Sequence, residues 1–310
     1  MTSGMPLGQD DGPDALSVLV AVATYKRPDM LRACLASLVD QLDQSDRLVV
    51  VDNDPNASAL GVAADFGDSV IYLHEPSPGI SPARNRALGY FHSQSLGALA
   101  FIDDDEVAAP DWLARMREGR NSSRQAAAFF GPVLPIYPAG VRRWITASGV
   151  FERPRFASMS DVKWPATNNV LISGVFLRQN RQLSFDEAYA LKGGEDTDFF
   201  FRARALGAEF TWLDEALVYE AIPAERARLS WLWRRGLRLG NVSAETLLRQ
   251  NWSTSRVALV AVGRILAAPL LALRTVVTGG RPGADIMNLP KGFGMLGALL
   301  GSEVHEYARK

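Results

Sequence analysis

Apolar runs that stop at acidic or polar turns organise the first two thirds of this chain. Residues 16–23 (LSVLVAVA) are continuously apolar and Val-rich, the pattern of a parallel strand covered on both faces. Arg27-Pro28 then opens a helix. Met30, Leu31, Leu35, Leu38 and Val39 recur at helical spacing, and Pro28 suits a first turn, where no backbone N–H is required. The unit repeats at once. Residues 48–51 predict a second buried strand ending at Asp52-Asn53-Asp54-Pro55, residues 69–73 a third and residues 98–102 a fourth, each followed by a helical stretch. Such alternation implies right-handed crossovers, a mostly parallel sheet, and ligands gathered at the C-terminal ends of the strands.

The pattern breaks over residues 132–165, which carry five prolines and the aromatics Tyr137, Trp144, Phe151, Phe156 and Trp164. This stretch predicts a long, ordered loop over the sheet that faces substrate. Residues 168–178 resume a strand and turn. Residues 195–206 then fit a helix whose first turn holds Glu195, Asp196 and Asp198, where acids suit the positive end of the helix dipole.

Beyond Pro223 the composition changes: nine Arg face two acids up to Thr275, with Trp231, Trp233 and Trp252 interleaved. One reading is a solvated basic helix packed on the domain. The other is a membrane-surface segment, in which each basic side chain near an anionic leaflet contributes about 1 kcal/mol. Residues 257–277 are nearly apolar but interrupted by Arg264, Pro269 and Arg274. Spanning takes roughly 20 mostly apolar residues and carries a central Arg only at considerable cost, so interfacial docking is the expectation. No nucleic-acid module accompanies these basic helices, and nucleic acid is not an expected partner.

With 310 residues, 47% hydrophobic and 22% charged, the chain can build one large domain and an appendage. A net charge of −1 argues against a surface given over wholly to nucleic acid. Cys34 is the single cysteine, which excludes an intramolecular disulfide and a cysteine zinc cluster; His74, His92 and His305 make no ligand spacing. Residues 1–14 are acidic, rich in Gly, Pro and Asp, and lack the basic start and apolar core of a secretory signal. The expected organisation is a disordered tail over 1–14, a catalytic domain over 15–223 and a basic, amphipathic helical extension over 224–310, in the cytoplasm.

The chemistry concentrates in Phe101-Ile102-Asp103-Asp104-Asp105-Glu106, where consecutive carboxylates follow the fourth strand. Adjacent Asp side chains repel at neutral pH, so a fold that keeps them together supplies a divalent metal or an Arg. A second cluster, Gly193-Gly194-Glu195-Asp196-Thr197-Asp198, lies about ninety residues on. Thr24, Tyr25, Arg27, Asp52 and Asp54 also stand at strand ends, which the topology brings to one rim. A single Asp after a strand is more often a cap or turn former than a catalyst. Their joint placement points to an enzyme.

In five elements the chain resembles the family 2 glycosyltransferases, which have the GT-A fold. These are Val22-Ala23-Thr24-Tyr25-Lys26-Arg27-Pro28, Val50-Val51-Asp52-Asn53, Gly79-Ile80-Ser81-Pro82-Ala83-Arg84-Asn85-Arg86-Ala87, Phe101-Ile102-Asp103-Asp104-Asp105 and Gly194-Glu195-Asp196-Thr197-Asp198. The resemblance covers about residues 16–223. It implies an α/β fold with a mostly parallel central sheet flanked by helices and a C-terminal helical extension. It also implies transfer of a sugar from a nucleotide-diphosphate donor to an acceptor hydroxyl, with inversion at the anomeric carbon. Thr24, Tyr25 and Arg27 would border the nucleotide, and Asp52 would hydrogen-bond the base. Asp103 would face the ribose, and Asp105 would coordinate Mg2+ or Mn2+ at the diphosphate. Asp104 would assist the donor, point to solvent or cap the next turn. Arg84 and Asn85 would lie near the donor or, alternatively, cap and pack. Asp196 matches the general base, with Glu195 as its alternative or as an orienting group; Asp198 is expected to be structural. Many relatives carry a His after the late strand where this chain has Glu220, which can also ligate a hard cation. Trp144 and Trp164 could stack on a sugar, and Arg226, Arg234 and Arg235 could meet a diphosphate or lipid phosphate. A membrane-proximal tail makes a lipid-linked saccharide or polysaccharide precursor a natural acceptor.

Three other functions compete. The run from Phe101 to Val107 also fits the first-strand motif of haloacid-dehalogenase-like phosphatases, with Asp103 as nucleophile, but three predicted strands precede it. A sugar nucleotidyltransferase would need a Gly-rich, Arg-containing loop where Thr24-Tyr25-Lys26-Arg27-Pro28 stands. A non-catalytic membrane-associated scaffold leaves both acid clusters without a purpose.

Overall fold

Alternating side chains on the first strand divide the core around the main sheet into two layers. A computed structural model describes residues 17–142, 145–146, 149–162, 165–190, 193–279 and 283–302. In chain order the elements up to residue 122 are β1 (Val18–Thr24), α1 (Pro28–Val39), β2 (Arg47–Asp52), α2 (Leu60–Ala64), β3 (Ile71–His74), α3 (Ile80–His92), β4 (Ala98–Asp103), β5 (Glu106–Ala108) and α4 (Trp112–Ser122). There follow β6 (Ala128–Phe130), β7 (Val133–Ile136), β8 (Asn169–Ser173), α5 (Gly174–Gln179), α6 (Glu195–Ala205), β9 (Phe210–Trp212) and β10 (Val218–Ala221). Val18, Val20 and Val22 pack with Leu31, Leu35 and Leu38 of α1 and with Trp112 and Met116 of α4. Leu19 and Ala21 share the opposite layer with Ala83, Ala87 and Phe91 of α3 and Phe199 and Phe200 of α6.

The main sheet runs β3-β2-β1-β4-β8-β6-β9, with β8 antiparallel to its neighbours and the remaining pairs parallel. Thr24 stands opposite Asp52, and Ala23 opposite Asp103, so three strands end level at one rim. The chain leaves β1 toward β2 on one side and returns to β4 on the other, which makes the β1/β4 junction the switch point where open α/β sheets bind ligands. A small second sheet, β5-β10-β7, places Glu220 opposite Glu106.

The third strand begins at Ile71 rather than 69, because Gly67–Ser69 forms a 3-10 turn. The stretch 132–165 is not wholly loop: it holds β7, and Asp161 bridges Thr211. The short strands β5, β6 and β9, three residues each, give no readable periodicity. Residues 1–14, together with Trp144, Trp164 and His305, lie outside the described residues.

The chain forms two compact units. The first comprises residues 17–134, 153–190 and 194–220 and contains the main sheet. The second takes in the described parts of 135–152 and 221–302, so part of the expected loop and the C-terminal helices make one body. Its helices are α7 (Leu229–Arg249), α8 (Thr254–Val277), α9 (Gly283–Ile286) and α10 (Asn288–Leu299). Small residues let their backbones meet: a Cβ on Gly240 would lie 2.1 Å from the Lys291 carbonyl, and one on Gly294 2.0 Å from that of Leu237. α8 has the length to cross a membrane; its most apolar 18-residue window has a mean hydropathy of 1.9 and is only 17% buried. Leu259, Val262, Leu266, Leu270 and Leu273 form an exposed stripe along it.

One buried amide ties the edge of the first unit together. Asn169 donates to the carbonyls of Pro132 (3.1 Å) and Ala216 (2.8 Å), and its own oxygen accepts the Trp112 indole N–H at 2.8 Å. Asn169→Ala strands these groups away from water, and a stability loss of about 3 kcal/mol is expected in chemical denaturation. A loss under about 1 kcal/mol would mean that the surrounding strands hold this edge without the amide.

Candidate active site

Six acidic side chains meet at the rim where β1, β2 and β4 end, and three arginines stand between them. Lys26 takes a left-handed backbone (φ 56°) in the turn from β1 to α1, which brings Arg27 back to the acids. Arg27 Nη1 contacts Asp104 Oδ1 at 2.9 Å and Asp105 Oδ2 at 3.1 Å. The Thr24 hydroxyl donates to the other Asp104 oxygen at 2.7 Å. Asp104 is therefore buried and doubly held, which corrects the expectation that it points to solvent or caps a turn. Burial pushes its pKa up to about 6, against the pull of Arg27.

Arg84, on the second turn of α3, is the second clamp. Its Nη2 lies 3.2 Å from Asp103 Oδ1 while its Nη1 pairs with Glu195 Oε1. Gly79 makes this placement possible. It has φ 117°, and a Cβ there would lie 2.5 Å from the Ala190 carbonyl oxygen, so no other residue fits the turn into α3. Gly194 enters α6 in the left-handed region (φ 97°), directly before Glu195. Glu195 is buried, its Oε2 has no hydrogen-bond partner among the described residues, and burial raises its pKa to about 7, opposed by Arg84 and assisted by Asp196. The neighbouring Asp196 is half-buried and accepts the Thr197 backbone N–H at 2.6 Å. Asp198 pairs with Arg202 one turn on, the structural role expected of it.

Arg153 is the third clamp, 3.1 Å from Glu220. Burial raises the Asp103 pKa; Arg84 and Arg153 lower it, while Asp105 and Glu220 raise it. Glu220 thus belongs to the same charge cluster as Asp103. Tyr25 is half-buried, with the Lys26 ammonium 5.1 Å from its ring centre. Asp52 is wholly buried and accepts the N–H groups of Asp54 (2.9 Å) and Ala59 (2.7 Å) and the Tyr72 hydroxyl (3.1 Å). Asn85 exchanges two hydrogen bonds with the Phe185 backbone, at 2.9 and 2.8 Å. Both side chains shape the rim through the chain's own backbone.

Glu106, Asn168 and Arg153 were not among the predicted site residues. Glu106 accepts the Asp103 backbone N–H at 3.1 Å and the Asn168 amide at 2.9 Å, fixing the turn that follows β4. Burial lifts its pKa well above the usual carboxylate value, and Asp103 adds to the rise. Its place as the fourth acid of the run was the only available signal. Asn168 and Arg153 also line a cavity of about 200 Å³ with Phe130, Phe156 and Trp212.

The statistical model of Glycosyl transferase family 2 matches residues 19–179, the segment that builds β1 through β8 and both of the first two clamps' strand and helix positions. The chain belongs to this glycosyltransferase family. Membership sets aside the phosphatase, nucleotidyltransferase and scaffold readings. The transferase is 33% identical over 257 residues to the "Succinoglycan biosynthesis protein ExoM" of Rhizobium meliloti (strain 1021), covering 77% of this chain and 80% of that one. It is 28% identical over 130 residues, 40% of each chain, to the "Glucosyl-dolichyl phosphate glucuronosyltransferase" of Haloferax volcanii. In three dimensions it matches S. aureus TarS 1–349 crystallised with UDP-GlcNAc, with a TM-score of 0.54, 15% identity and 92% of both chains covered. The same TarS segment with UDP gives 0.54, 15% identity and 94% and 93% coverage. These likenesses show the GT-A fold.

Among the described residues no three or more His, Cys, Asp and Glu side chains form a metal-holding group. Asp103 and Asp105 do place hard oxygen donors at the rim. A Mg2+ or Mn2+ that is completed by substrate phosphates and water needs only one or two carboxylates, so this donor set fits such an ion.

The buried Glu195 gives the transferase a testable pH signature. Its pKa is near 7 in the fold against 4.5 in the open chain, so the folded state binds more protons between those values. Its contribution to stability is full below about pH 4.5 and is lost as pH rises through about 7. Metal-free Glu195→Gln is expected to flatten this decline in urea midpoints measured from pH 4.5 to 8. An unchanged slope would place the proton uptake on another group.

Proposed function

We propose that this transferase moves a sugar from a nucleotide-diphosphate donor to the hydroxyl of a saccharide acceptor, with inversion at the anomeric carbon. The observation that carries this reading is the convergence of both acid clusters through Arg84, which joins Asp103 at the strand end to Glu195 beside Asp196. Asp105 would hold Mg2+ or Mn2+, with Glu220 as a further candidate ligand, and Asp103 would face the donor's ribose. Such an ion, when bound, offsets negative charge building on the leaving diphosphate.

The protein's own groups divide the remaining work. Asp196, half-buried at the start of α6, takes the proton of the acceptor hydroxyl as its oxygen bonds to the anomeric carbon and the bond to the diphosphate breaks. Glu195 and Arg84 hold that helix end in place. Thr24 and Arg27 fix Asp104 beneath the donor site, and Tyr25 borders it. Asp52 and Asn85 act through the backbone segments they pin. The cavity lined by Arg153, Asn168, Phe156 and Trp212 offers polar and aromatic contacts of the kind a saccharide acceptor uses.

Two relatives support the acceptor class: ExoM, whose name places it in succinoglycan biosynthesis, and the archaeal glucuronosyltransferase, whose name includes glucosyl-dolichyl phosphate. We assign this enzyme to polysaccharide assembly on a lipid-linked acceptor, with the exposed stripe of α8 lying on the inner face of the plasma membrane.

A thermal-shift screen of nucleoside diphosphates with and without Mn2+ tests the donor class; no stabilisation by any of them would remove the reading. Asp105→Ala is expected to abolish the metal-dependent part of the shift. Asp196→Asn should keep donor binding and lower transfer by about 10²- to 10⁴-fold. Retained turnover in that variant would assign the base to Glu195.

A further inference from the structure

The cavity lined by Asn168 and the turn that carries Asp103 meet at one buried side chain, Glu106. β8 starts opposite the end of β4, with Asn169 facing Ile102, so Asn168 arrives next to the acid run. β10 pairs with β5 so that Glu220 faces Glu106. Two polar side chains of the cavity end on these two acids: Asn168 donates to Glu106 Oε1 at 2.9 Å, and Arg153 lies 3.1 Å from Glu220. Both contacts join the cavity wall to the acid cluster.

Glu106 spends its two oxygens on partners that are remote from each other in sequence. Oε2 accepts the Asp103 N–H at 3.1 Å, three residues back, and Oε1 accepts the Asn168 amide, 62 residues on. A side chain that only locked the turn after β4 would need the first bond alone. Glu106 is buried, and its backbone is held in the β5–β10 pair. Asn168 is buried too, and the next residue, Asn169, is fixed by Trp112, Pro132 and Ala216. The two oxygens of one carboxylate cannot move independently, so a shift of Asn168 turns the oxygen that holds Asp103.

We propose that Glu106 is a positioning residue of the transfer reaction, holding the donor-facing Asp103 and the cavity-lining Asn168 in one fixed relation. It touches neither substrate. Through it, a change at the cavity wall alters the grip on the donor, and a saccharide seated against Asn168 is set at a defined distance from the sugar to be moved. The inference rests on the reading of Asp103 as a donor contact and of the cavity as the acceptor's seat. Nucleotide binding by the wild type checks that reading separately.

The test titrates full-length protein calorimetrically with UDP, GDP, ADP, CDP and dTDP in the presence of Mn2+, below the lowest melting temperature of the set, and follows the tightest binder. Asn168→Ala alters only the cavity end of the link, yet it is expected to weaken that nucleotide about three- to tenfold, the worth of one hydrogen bond. In a Glu106→Leu background, itself weakened, the same change should have no further effect. Asn168→Asp sets a second carboxylate against Glu106 and should also bind poorly. Adding Glu106→Gln reverses donor and acceptor across that contact, and recovery to within about threefold of wild type is expected. Arg117→Gln, which breaks the pairs with Asp43 and Asp46 ahead of β2, should lower the melting temperature and leave the affinity alone. Unchanged affinity in Asn168→Ala, additive losses with Glu106→Leu, no recovery with Glu106→Gln, or an equal loss in Arg117→Gln would overturn the role of Glu106 and leave the transferase reading standing. Failure of the wild type to bind any of the five removes that reading and this inference with it.

Discussion

The mutual repulsion of carboxylates at the end of β4 is the constraint around which the catalytic unit is arranged. Asp103, Asp104, Asp105 and Glu106 follow one another in sequence, and Glu195 and Glu220 join them from distant segments. Left unpaired, so many charges at partly buried positions would drive the segments apart. Arg27, Arg84 and Arg153 come from the β1–α1 turn, from α3 and from the segment after the first crossing into the second unit. Each contacts acids remote in sequence. Deleting one partner of a buried pair costs about 3–5 kcal/mol, because it strands the other charge, so the Arg84–Glu195 pair ties the rim to the fold's stability.

The sheet explains why those segments are available. Val and Leu alternate on β1 and feed two core layers, which puts α1 on one face and α3 on the other. Helices on opposite faces then approach the same strand ends from both sides, and Arg27 and Arg84 reach neighbouring acids from opposite directions. The level register of Thr24, Asp52 and Asp103 places the donors and acceptors of this network at one height.

Long, strongly patterned elements were legible in the sequence: β1, α1, β2, β4 and α6 lie within a residue or two of where periodicity and Pro28 put them. The three-residue strands were not, since two or three apolar side chains carry no period. At the site, the carboxylates announced themselves by crowding, which predicted a divalent metal or an Arg to answer them. Which Arg could not be read: Arg153 sits in a proline-rich stretch, and only the folded chain brings it to Glu220. Asp104 shows the same limit in reverse. Its neighbours in sequence do not reveal that Thr24 and Arg27 enclose it, because that contact crosses about eighty residues of chain.

Arg84 makes the two acid clusters one electrostatic unit. Its guanidinium lowers the proton affinity of both Asp103 and Glu195, so the charge state of either acid changes the share of Arg84 left to the other. Asp196 adjoins Glu195 and adds to the rise in its pKa. A lysine at position 84 would keep one positive charge but could not span Asp103 and Glu195 with two separate N–H groups in a fixed plane. The choice of arginine there follows from geometry as much as from charge.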